Sequence, residues 1–202
     1  MDDRELIAGL LASDENTFRL AIRRYQSGMK SLAGSIVGEK IADEVVQEAW
    51  LSVITGLPGF EGRSGLKTWI LRIVANEAKT RLRKERRNVS LEALLATDVT
   101  IEARFGSTGE WISPPTDWQA DSPEALLASE QLSACIQQLL AELPSLQGAA
   151  LTLKEQQGLT ASEICNILEV SASNIRVLLH RARGRLFVCI EHFQTTGECR
   201  TG

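Results

Sequence analysis

Residues 158–183 carry the pattern that most restricts how this chain can fold. Thr160 is followed three residues later by Glu163, the spacing of a capping box that starts a helix. Residues 169–171 then form a short turn, and the last of them, Ser171, can cap the next helix. Two helices joined by so short a turn predict a helix-turn-helix, which places its second helix in the major groove of DNA.

The second helix of this motif has an apolar side and a basic side. Apolar residues at three- and four-residue spacing predict its buried side: Ile175, Leu178, Leu179, Ala182 and Leu186. No acidic residue occurs between positions 171 and 188. The polar side offers amide and guanidinium groups for base edges and cations for phosphates. The candidate DNA contacts are Ser171, Ser173, Asn174, Arg176, Val177, His180 and Arg181, with Arg183 as a further cation.

Composition and cysteine spacing restrict the class of protein. The chain has 202 residues, and its 44% hydrophobic content suffices for one domain or two small ones. The N-terminus is acidic, unlike a secretory signal, and no apolar run approaches the length of a bilayer span, so we expect a cytoplasmic protein. Four widely spaced cysteines indicate neither a disulfide framework nor a zinc ribbon, and we expect reduced thiols.

Charge is distributed unevenly along the chain. The formal net charge is −4, which alone argues against a nucleic-acid partner. Residues 63–87, however, contain nine Lys or Arg against two acids, whereas residues 88–124 contain seven acids against one Arg. This segregation predicts basic modules that face DNA and an acidic connector that phosphate repels.

Apolar periodicity predicts that the first 87 residues are helical. Separate amphipathic helices are expected around residues 6–11, 18–25 and 32–37, followed by a longer one over residues 41–54. A Gly-rich loop at 60–65 precedes a long helix over residues 66–87. One face of that helix is polar for roughly 20 Å at 1.5 Å per residue, which suits a phosphate backbone. The residues on this face are Arg72, Asn76, Lys79, Arg83 and Arg86.

These patterns predict an all-α protein with two small helical domains joined by a flexible acidic linker. The first domain is assigned to residues 1–88, the linker to 89–124, and the helix-turn-helix domain to 125–202. Trp111 and Trp118 are unusual for a linker, and packing back on a domain is favoured over docking on a partner. Trp69 belongs to the apolar stripe of the long helix, which favours core packing over base stacking.

Several motifs in order resemble the extracytoplasmic function sigma factors of bacterial RNA polymerase, in the sigma-70 superfamily. The resemblance rests on residues 43–50 (DEVVQEAW), Phe60, residues 68–73 (TWILRI), Asn76, Leu143-Pro144, residues 158–164 and residues 180–183 (HRAR). It spans both predicted domains. No single motif is specific, but their order over 140 residues is typical of that family.

The resemblance implies a division of labour among three surfaces. In such proteins the first matching segment binds core RNA polymerase, and the matching polar residues here are Asp43, Glu44, Gln47 and Glu48. The segment after it reads and melts the downstream promoter element, which implies roles for Arg63, Ser64, Lys67, Arg72, Asn76, Lys79 and Arg83. The helix-turn-helix would then bind the upstream element. The resemblance also implies control by an anti-sigma factor, and neither a cofactor nor enzymatic activity is expected.

Two other classes of protein are weighed against this interpretation. A two-domain regulator that dimerises through its N-terminal half and binds an operator would explain only the second half. A metal sensor or enzyme would use Cys189, His192 and Cys199, but a cysteine in an apolar run is more often buried packing. The sequence contains no nucleophile and base pair or phosphate loop that would indicate catalysis.

Overall fold

The described part of the chain consists of helices joined by turns and loops. A computed structural model describes residues 1–85 and 123–199, and these contain helices and no strand, as predicted. The first half comprises α1 (Asp3–Leu11), α2 (Glu15–Val37), α3 (Glu39–Gly56), a 3₁₀ turn (Leu57–Gly59) and α4 (Leu66–Glu85). The second comprises α5 (Pro123–Glu142), α6 (Ser145–Leu151), a π-helical segment (Thr152–Gln156), α7 (Ala161–Leu168) and α8 (Ala172–Thr196). Most of the predicted linker, with Trp111 and Trp118, lies outside the described residues, as does Arg86.

Helix α2 is the centre of the N-terminal half and packs against α1, α3 and α4. The prediction of separate helices around 18–25 and 32–37 is wrong, because α2 runs unbroken through both. Its apolar stripe continues without interruption, since Tyr25, Met29 and Leu32 follow at helical spacing and are all buried. A Cβ atom at Gly28 would lie 2.7 Å from the Gln157 side chain, so this mid-helix glycine permits close approach of the C-terminal half.

Helix α3 buries one face and exposes an acidic one. Its buried residues recur at helical spacing and are Ala42, Val45, Val46, Ala49, Trp50 and Val53. The Trp50 indole Nε1 donates a 2.6 Å hydrogen bond to Gln26, and its ring meets Phe18 edge to face. These contacts fix α3 on α2 and direct its acidic residues outward.

The predicted helix-turn-helix is confirmed by α7 and α8. Thr160 and Glu163 form the capping box, with the Thr160 amide donating to the Glu163 carboxylate at 2.9 Å. Ser171 caps α8 by accepting from the Asn174 amide at 3.3 Å. The predicted buried side of α8 is buried except for Leu186, which is half-buried.

The two halves of the chain pack against each other around one shared apolar core. Buried residues of α1 to α4 and of α6 to α8 belong to the same cluster, in which α6 lies on α2. The approach is close, because a Cβ atom at Gly148 would lie 3.2 Å from the Ser35 carbonyl oxygen. Within α6, Gln147 is fully buried, and its amide has no hydrogen-bond partner in the described part of the chain. The sequence did not predict this closed arrangement.

The expectation that all four cysteines are reduced thiols is wrong. Cys135 of α5 and Cys199 are joined by a disulfide although 64 positions separate them in sequence. The two cysteines meet because α8 packs along α5 and the chain turns back after Gly197, whose φ of 72° ends α8. With Cys199 in a disulfide, the hypothetical metal site of Cys189, His192 and Cys199 lacks one thiolate. The described residues also contain no group of three His, Cys, Asp or Glu side chains arranged to hold a metal.

Candidate nucleic-acid interface

Helix α4 presents the predicted polar face opposite its packed face. Leu66, Ile70 and Val74 are each at most 1% exposed and attach the helix to the core. Across the helix, Arg72, Asn76 and Arg83 are exposed, and Lys79 retains 18% of its side-chain exposure. We call these four polar residues the α4 ridge. Its cations and amide follow one line because they recur at three- and four-residue spacing.

A cleft of about 410 Å³ opens where the Gly-rich loop meets the start of α4. Its volume falls within the roughly 300–1,000 Å³ typical of small-ligand pockets. Phe60 and Trp69 line it with ring centroids 5.0 Å apart, while Trp69 also packs on the core as predicted. The polar lining includes the predicted residues Arg63, Ser64 and Arg72. An aromatic wall beside guanidinium groups is chemically suited to an unstacked base.

The helix-turn-helix covers the beginning of the α4 ridge and its surroundings. The Lys67 ammonium donates to the Gln157 carbonyl oxygen at 2.8 Å, and the Thr68 hydroxyl donates to the Glu163 carboxylate at 3.1 Å. Asn166 of α7 also lines the cleft. Lys67, a predicted DNA-binding residue, is therefore bound to the C-terminal half of the chain.

Glu169, the first residue of the turn between α7 and α8, provides the main electrostatic contact with the ridge. Its carboxylate lies 3.0 Å from Arg72 Nη2 and 3.9 Å from Lys79 Nζ. The hydrogen bond from Arg72, followed by the charge of Lys79, lowers the pKa of Glu169 below its ordinary value. The ion pair is therefore fully present at pH values above the ordinary pKa of a carboxylate. It weakens as the pH falls through the lowered pKa of Glu169. A carboxylate placed between two cations makes the kind of charge-assisted contact that a phosphate also makes.

Lys79 also binds the carboxyl end of α7 directly. Its ammonium donates a 2.7 Å hydrogen bond to the Leu168 carbonyl oxygen, where the helix dipole favours a cation. Burial lowers the pKa of Lys79 despite the nearby Glu169 carboxylate. A desolvated lysine of this kind is held by the interface and is not available to DNA while the interface is closed.

The conformation of Glu169 is unusual for its residue type. Its φ of 59° lies in the left-handed region, where a helix end is usually occupied by glycine or asparagine. This strain is accepted at a position whose side chain contacts Arg72 and Lys79. From the sequence, Glu169 was predicted only to lie in the turn. The absence of glycine at the end of α7 was the signal that could have indicated its unusual conformation.

The predicted DNA-reading side of α8 is exposed at the start of the helix. Ser173, Asn174 and Arg176 are exposed, and Val177 is 41% exposed. His180 and Arg181 are partly buried, and both form interactions within the protein. Ser171 uses its hydroxyl as the α8 cap and lies 2.9 Å from the Ser173 hydroxyl. The start of α8 thus remains open to a duplex, whereas Arg72 and Lys79 of the α4 ridge are engaged by the C-terminal half.

The acidic side of α3 forms ion pairs with its neighbours. Asp43 pairs with Lys30 at 2.9 Å, and Glu44 pairs with Arg81 at 2.8 Å. Both carboxylates remain more than half exposed, so these pairs are weak by the usual measure of surface ion pairs. Gln47 and Glu48 are exposed on the same helix. The four predicted polymerase-contacting residues therefore form one accessible surface.

Comparison with protein families defines the class to which this fold belongs. Residues 21–88 match the model of sigma-70 region 2, and residues 133–186 match that of sigma-70 region 4. The first match includes α3 and α4, and the second includes α7 and α8 as far as residue 186. The arrangement is that of a sigma-70 type initiation factor. An operator-binding regulator that dimerises through its N-terminal half is not supported, since that half matches region 2.

Curated relatives identify the group within this class. The chain is 30% identical over 184 residues to the ECF RNA polymerase sigma-E factor of Escherichia coli, covering 91% of both chains. It is 28% identical over 183 residues to the sigma-E factor of Haemophilus influenzae, covering 91% of this chain and 92% of the relative. The chain belongs to the extracytoplasmic function (ECF) family of RNA polymerase sigma factors.

Solved structures share the fold at low sequence identity. CnrH in complex with the cytosolic domain of CnrY matches with a TM-score of 0.55 and 18% identity, covering 94% of this chain and 97% of that chain. The sigma factor RpoE in complex with the anti-sigma factor NepR, from Bartonella quintana, matches with a TM-score of 0.55 and 19% identity. That match covers 90% of this chain and 98% of the other. In the described residues of this chain, no helix is long and apolar enough to cross a membrane.

Proposed function

We propose that this sigma factor directs core RNA polymerase to promoters by using three separate surfaces of its own chain. Helix α3 binds the polymerase, the α4 ridge with its cleft captures the downstream element, and α8 binds the upstream element. The observation that carries the proposal is the basic α4 ridge beside an aromatic-walled cleft, on the same chain as a helix-turn-helix. The protein acts in the cytoplasm and catalyses no reaction itself, since sigma factors generally serve as initiation factors.

The three proposed surfaces and the linker occupy different ranges of the chain, as the uneven distribution of charge suggests. We assign residues 1–88 to polymerase binding and downstream-element melting, 89–124 to a linker, and 125–202 to upstream-element binding. Opening a duplex costs a few kcal/mol per unstacked base, which contacts to the displaced strand must offset. Arg72, Lys79 and Arg83 supply cations for its backbone, and the cleft between Phe60 and Trp69 supplies a surface for a base.

Arg83→Ala should reduce the dependence of promoter binding on salt concentration. Each cation that neutralises one phosphate contributes roughly 0.7–0.9 to the slope of log affinity against log salt. Holoenzyme affinity for a promoter measured from low to moderate salt should therefore lose about one such contribution. Lys84→Ala is the matched control, because Lys84 is an exposed neighbour off the ridge. Equal slopes for the parent and Arg83→Ala would remove Arg83 from the DNA interface.

Glu48→Lys should weaken binding to core RNA polymerase by about tenfold, a typical effect when one charge in an interface is reversed. The exposed acidic side of α3 is the proposed contact surface, and a lysine there repels a basic partner. Affinity is measured by titrating labelled sigma factor with core enzyme. Glu39→Lys, an equal charge change at the start of the same helix, should have less than a twofold effect. A similar loss for both variants would indicate general electrostatics instead of a defined contact.

We further propose that the closed arrangement is an inactive form that an anti-sigma factor maintains. Contacts of Lys67, Arg72 and Lys79 with the C-terminal half compete with DNA for the same three cations. The interface is also imperfect, because the buried Gln147 amide lacks a partner among the described residues. An unsatisfied buried amide costs roughly 1–3 kcal/mol, which opening to water would recover. The RpoE and NepR complex, of the same fold, supports control of this kind.

Reconstituted transcription tests the proposed function. Purified protein and core RNA polymerase are incubated with genomic fragments, and transcript start sites are mapped. We expect initiation at a defined set of promoters and tighter binding to fork-junction DNA than to duplex of the same sequence. Random start sites, together with equal affinity for fork and duplex, would refute the function.

A further inference from the structure

Three of the four cysteines lie together where α5 meets the C-terminal half of α8. Cys135 of α5 is joined to Cys199 by a disulfide with a Cα–Cα distance of 5.4 Å. The Sγ atom of Cys189, on α8, lies 3.6 Å from the Cys135 Sγ atom. Cys135 and Cys189 are each 2% exposed, whereas Cys199 is half-buried. The free thiol of Cys189 therefore contacts the disulfide between Cys135 and Cys199. A disulfide that only stabilises the fold does not require a free thiol beside it.

These cysteines belong to a small apolar cluster separate from the main core. Besides the sulfur atoms, the cluster contains Phe193 with Leu132 and Leu139 packed against it. Few apolar side chains therefore hold this part of α5 on α8. The covalent bond adds a constraint at a place where burial alone is modest.

The cellular compartment of the protein favours a disulfide between Cys135 and Cys199 that forms and breaks reversibly. On the proposed function, the protein works at RNA polymerase in the cytoplasm, where thiols are kept reduced. Disulfides that do form there are usually transient and either catalytic or redox-sensing. The half-buried position of Cys199 gives an oxidant access to one of the two bonded sulfur atoms.

We propose that Cys135, Cys189 and Cys199 form a thiol-oxidation site that reacts with hydroperoxides and, when oxidised, fastens α5 to α8 and its C-terminal extension. The fourth cysteine, Cys165, is half-buried in the helix-turn-helix and packs on the main core, apart from this site.

The oxidation proceeds in two steps that balance. The Cys199 thiolate attacks the outer oxygen of a hydroperoxide, the O–O bond breaks, and an alcohol (water, for hydrogen peroxide) leaves. This step gives a sulfenic acid at Cys199. The Cys135 thiolate then attacks the Cys199 sulfur atom, the S–O bond breaks, and hydroxide leaves as water after taking up a proton. Two thiols and one hydroperoxide thus give one disulfide, one alcohol and one water.

Cys189 has a different role because it is buried. Burial raises the pKa of the Cys189 thiol, so it is not the group that meets the oxidant first. After deprotonation, its sulfur can attack Cys135 Sγ, break the bond between Cys135 and Cys199, and release Cys199 as a thiolate, which takes up the proton. This exchange involves no net oxidation. The disulfide from Cys135 to Cys199 and the one from Cys135 to Cys189 both join α5 to α8 or to the residues that follow it.

Disulfide mapping of the full-length protein tests the site. Reduced protein is treated with one equivalent of hydrogen peroxide, alkylated, and analysed by mass spectrometry. The parent should form the disulfide between Cys135 and Cys199. Cys199→Ser lacks the accessible thiol and should form little disulfide under the same treatment, and Cys135→Ser should form no disulfide within the site. Cys165→Ser, the control, should oxidise like the parent. Oxidation should raise the Tm of the parent by on the order of 10 °C, the scale expected for one stabilising crosslink.

Two results would overturn the site. One is a dominant disulfide that includes Cys165, and the other is an unchanged Tm between the oxidised and reduced parent. The second comparison needs no variant, so it holds even where a substitution prevents folding. Neither readout depends on transcription. The reduced protein should direct promoter-specific initiation whether or not the thiol site exists, so failure of the site and failure of the proposed function are distinguishable.

Discussion

Glu169→Lys should increase the affinity of the free sigma factor for single-stranded downstream-element DNA by about tenfold. In the closed arrangement the Glu169 carboxylate contacts both Arg72 and Lys79, and a lysine there would repel the same two cations. Exposed ion pairs contribute up to about 1 kcal/mol each, and reversing a charge replaces attraction by repulsion. The closed form should therefore lose roughly 1–2 kcal/mol, which releases the α4 ridge for DNA.

Glu155→Lys is the control for this experiment. Glu155 lies in the same half of the chain, pairs with Arg183 at 2.7 Å, and is 52% exposed, against 51% for Glu169. Glu155→Lys changes the net charge by the same amount as Glu169→Lys, but Glu155 does not contact α4. Affinity is measured by fluorescence anisotropy with a labelled oligonucleotide, in the absence of polymerase. An equal gain for both variants would show that added positive charge, and not opening, is responsible.

The second large effect is expected at the start of α8. Arg176→Ala should weaken binding of the holoenzyme to the upstream element by about 10- to 100-fold, since one bidentate contact to a base contributes roughly 1–3 kcal/mol of discrimination. Arg176 is exposed near the start of α8. The loss should be largest for the intact element and small for a scrambled one. Binding is measured by competition between the two duplexes.

Arg19→Ala provides the comparison for Arg176. Arg19 is a highly exposed arginine on α2 that pairs with Glu15, far from the proposed upstream contacts. Its replacement should change the affinity less than twofold. If Arg176→Ala weakened intact and scrambled duplexes equally, Arg176 would contact phosphate and carry no sequence specificity.

The sequence was informative wherever a structure depends on local spacing. The capping residues Thr160 and Ser171, and the three-residue turn between α7 and α8, were predicted because caps act within four residues. The α4 ridge followed from helical periodicity in the same way. The expected break between residues 25 and 32 does not occur, and Gly28 within that stretch makes room for Gln157 of the other half.

Contacts between distant parts of the chain could not be predicted from spacing. The pairs of Lys67 with Gln157 and Arg72 with Glu169 join positions about ninety or more residues apart, and no periodicity connects them. The same is true of Cys135 and Cys199, which looked unrelated until α5 and α8 were placed side by side. Both depend on the packing of the two halves, which local patterns do not determine.

We expect the free sigma factor to be closed over its downstream-element face and to open in the initiation complex. Spin labels attached through unnatural amino acids at the exposed positions Thr80 and Ser162 place one probe on α4 and one on α7. Double electron–electron resonance should give one short distance for the free protein and a longer one with core polymerase and promoter DNA. The same short distance in the initiation complex, or a long and broad distribution in the free protein, would contradict the claim.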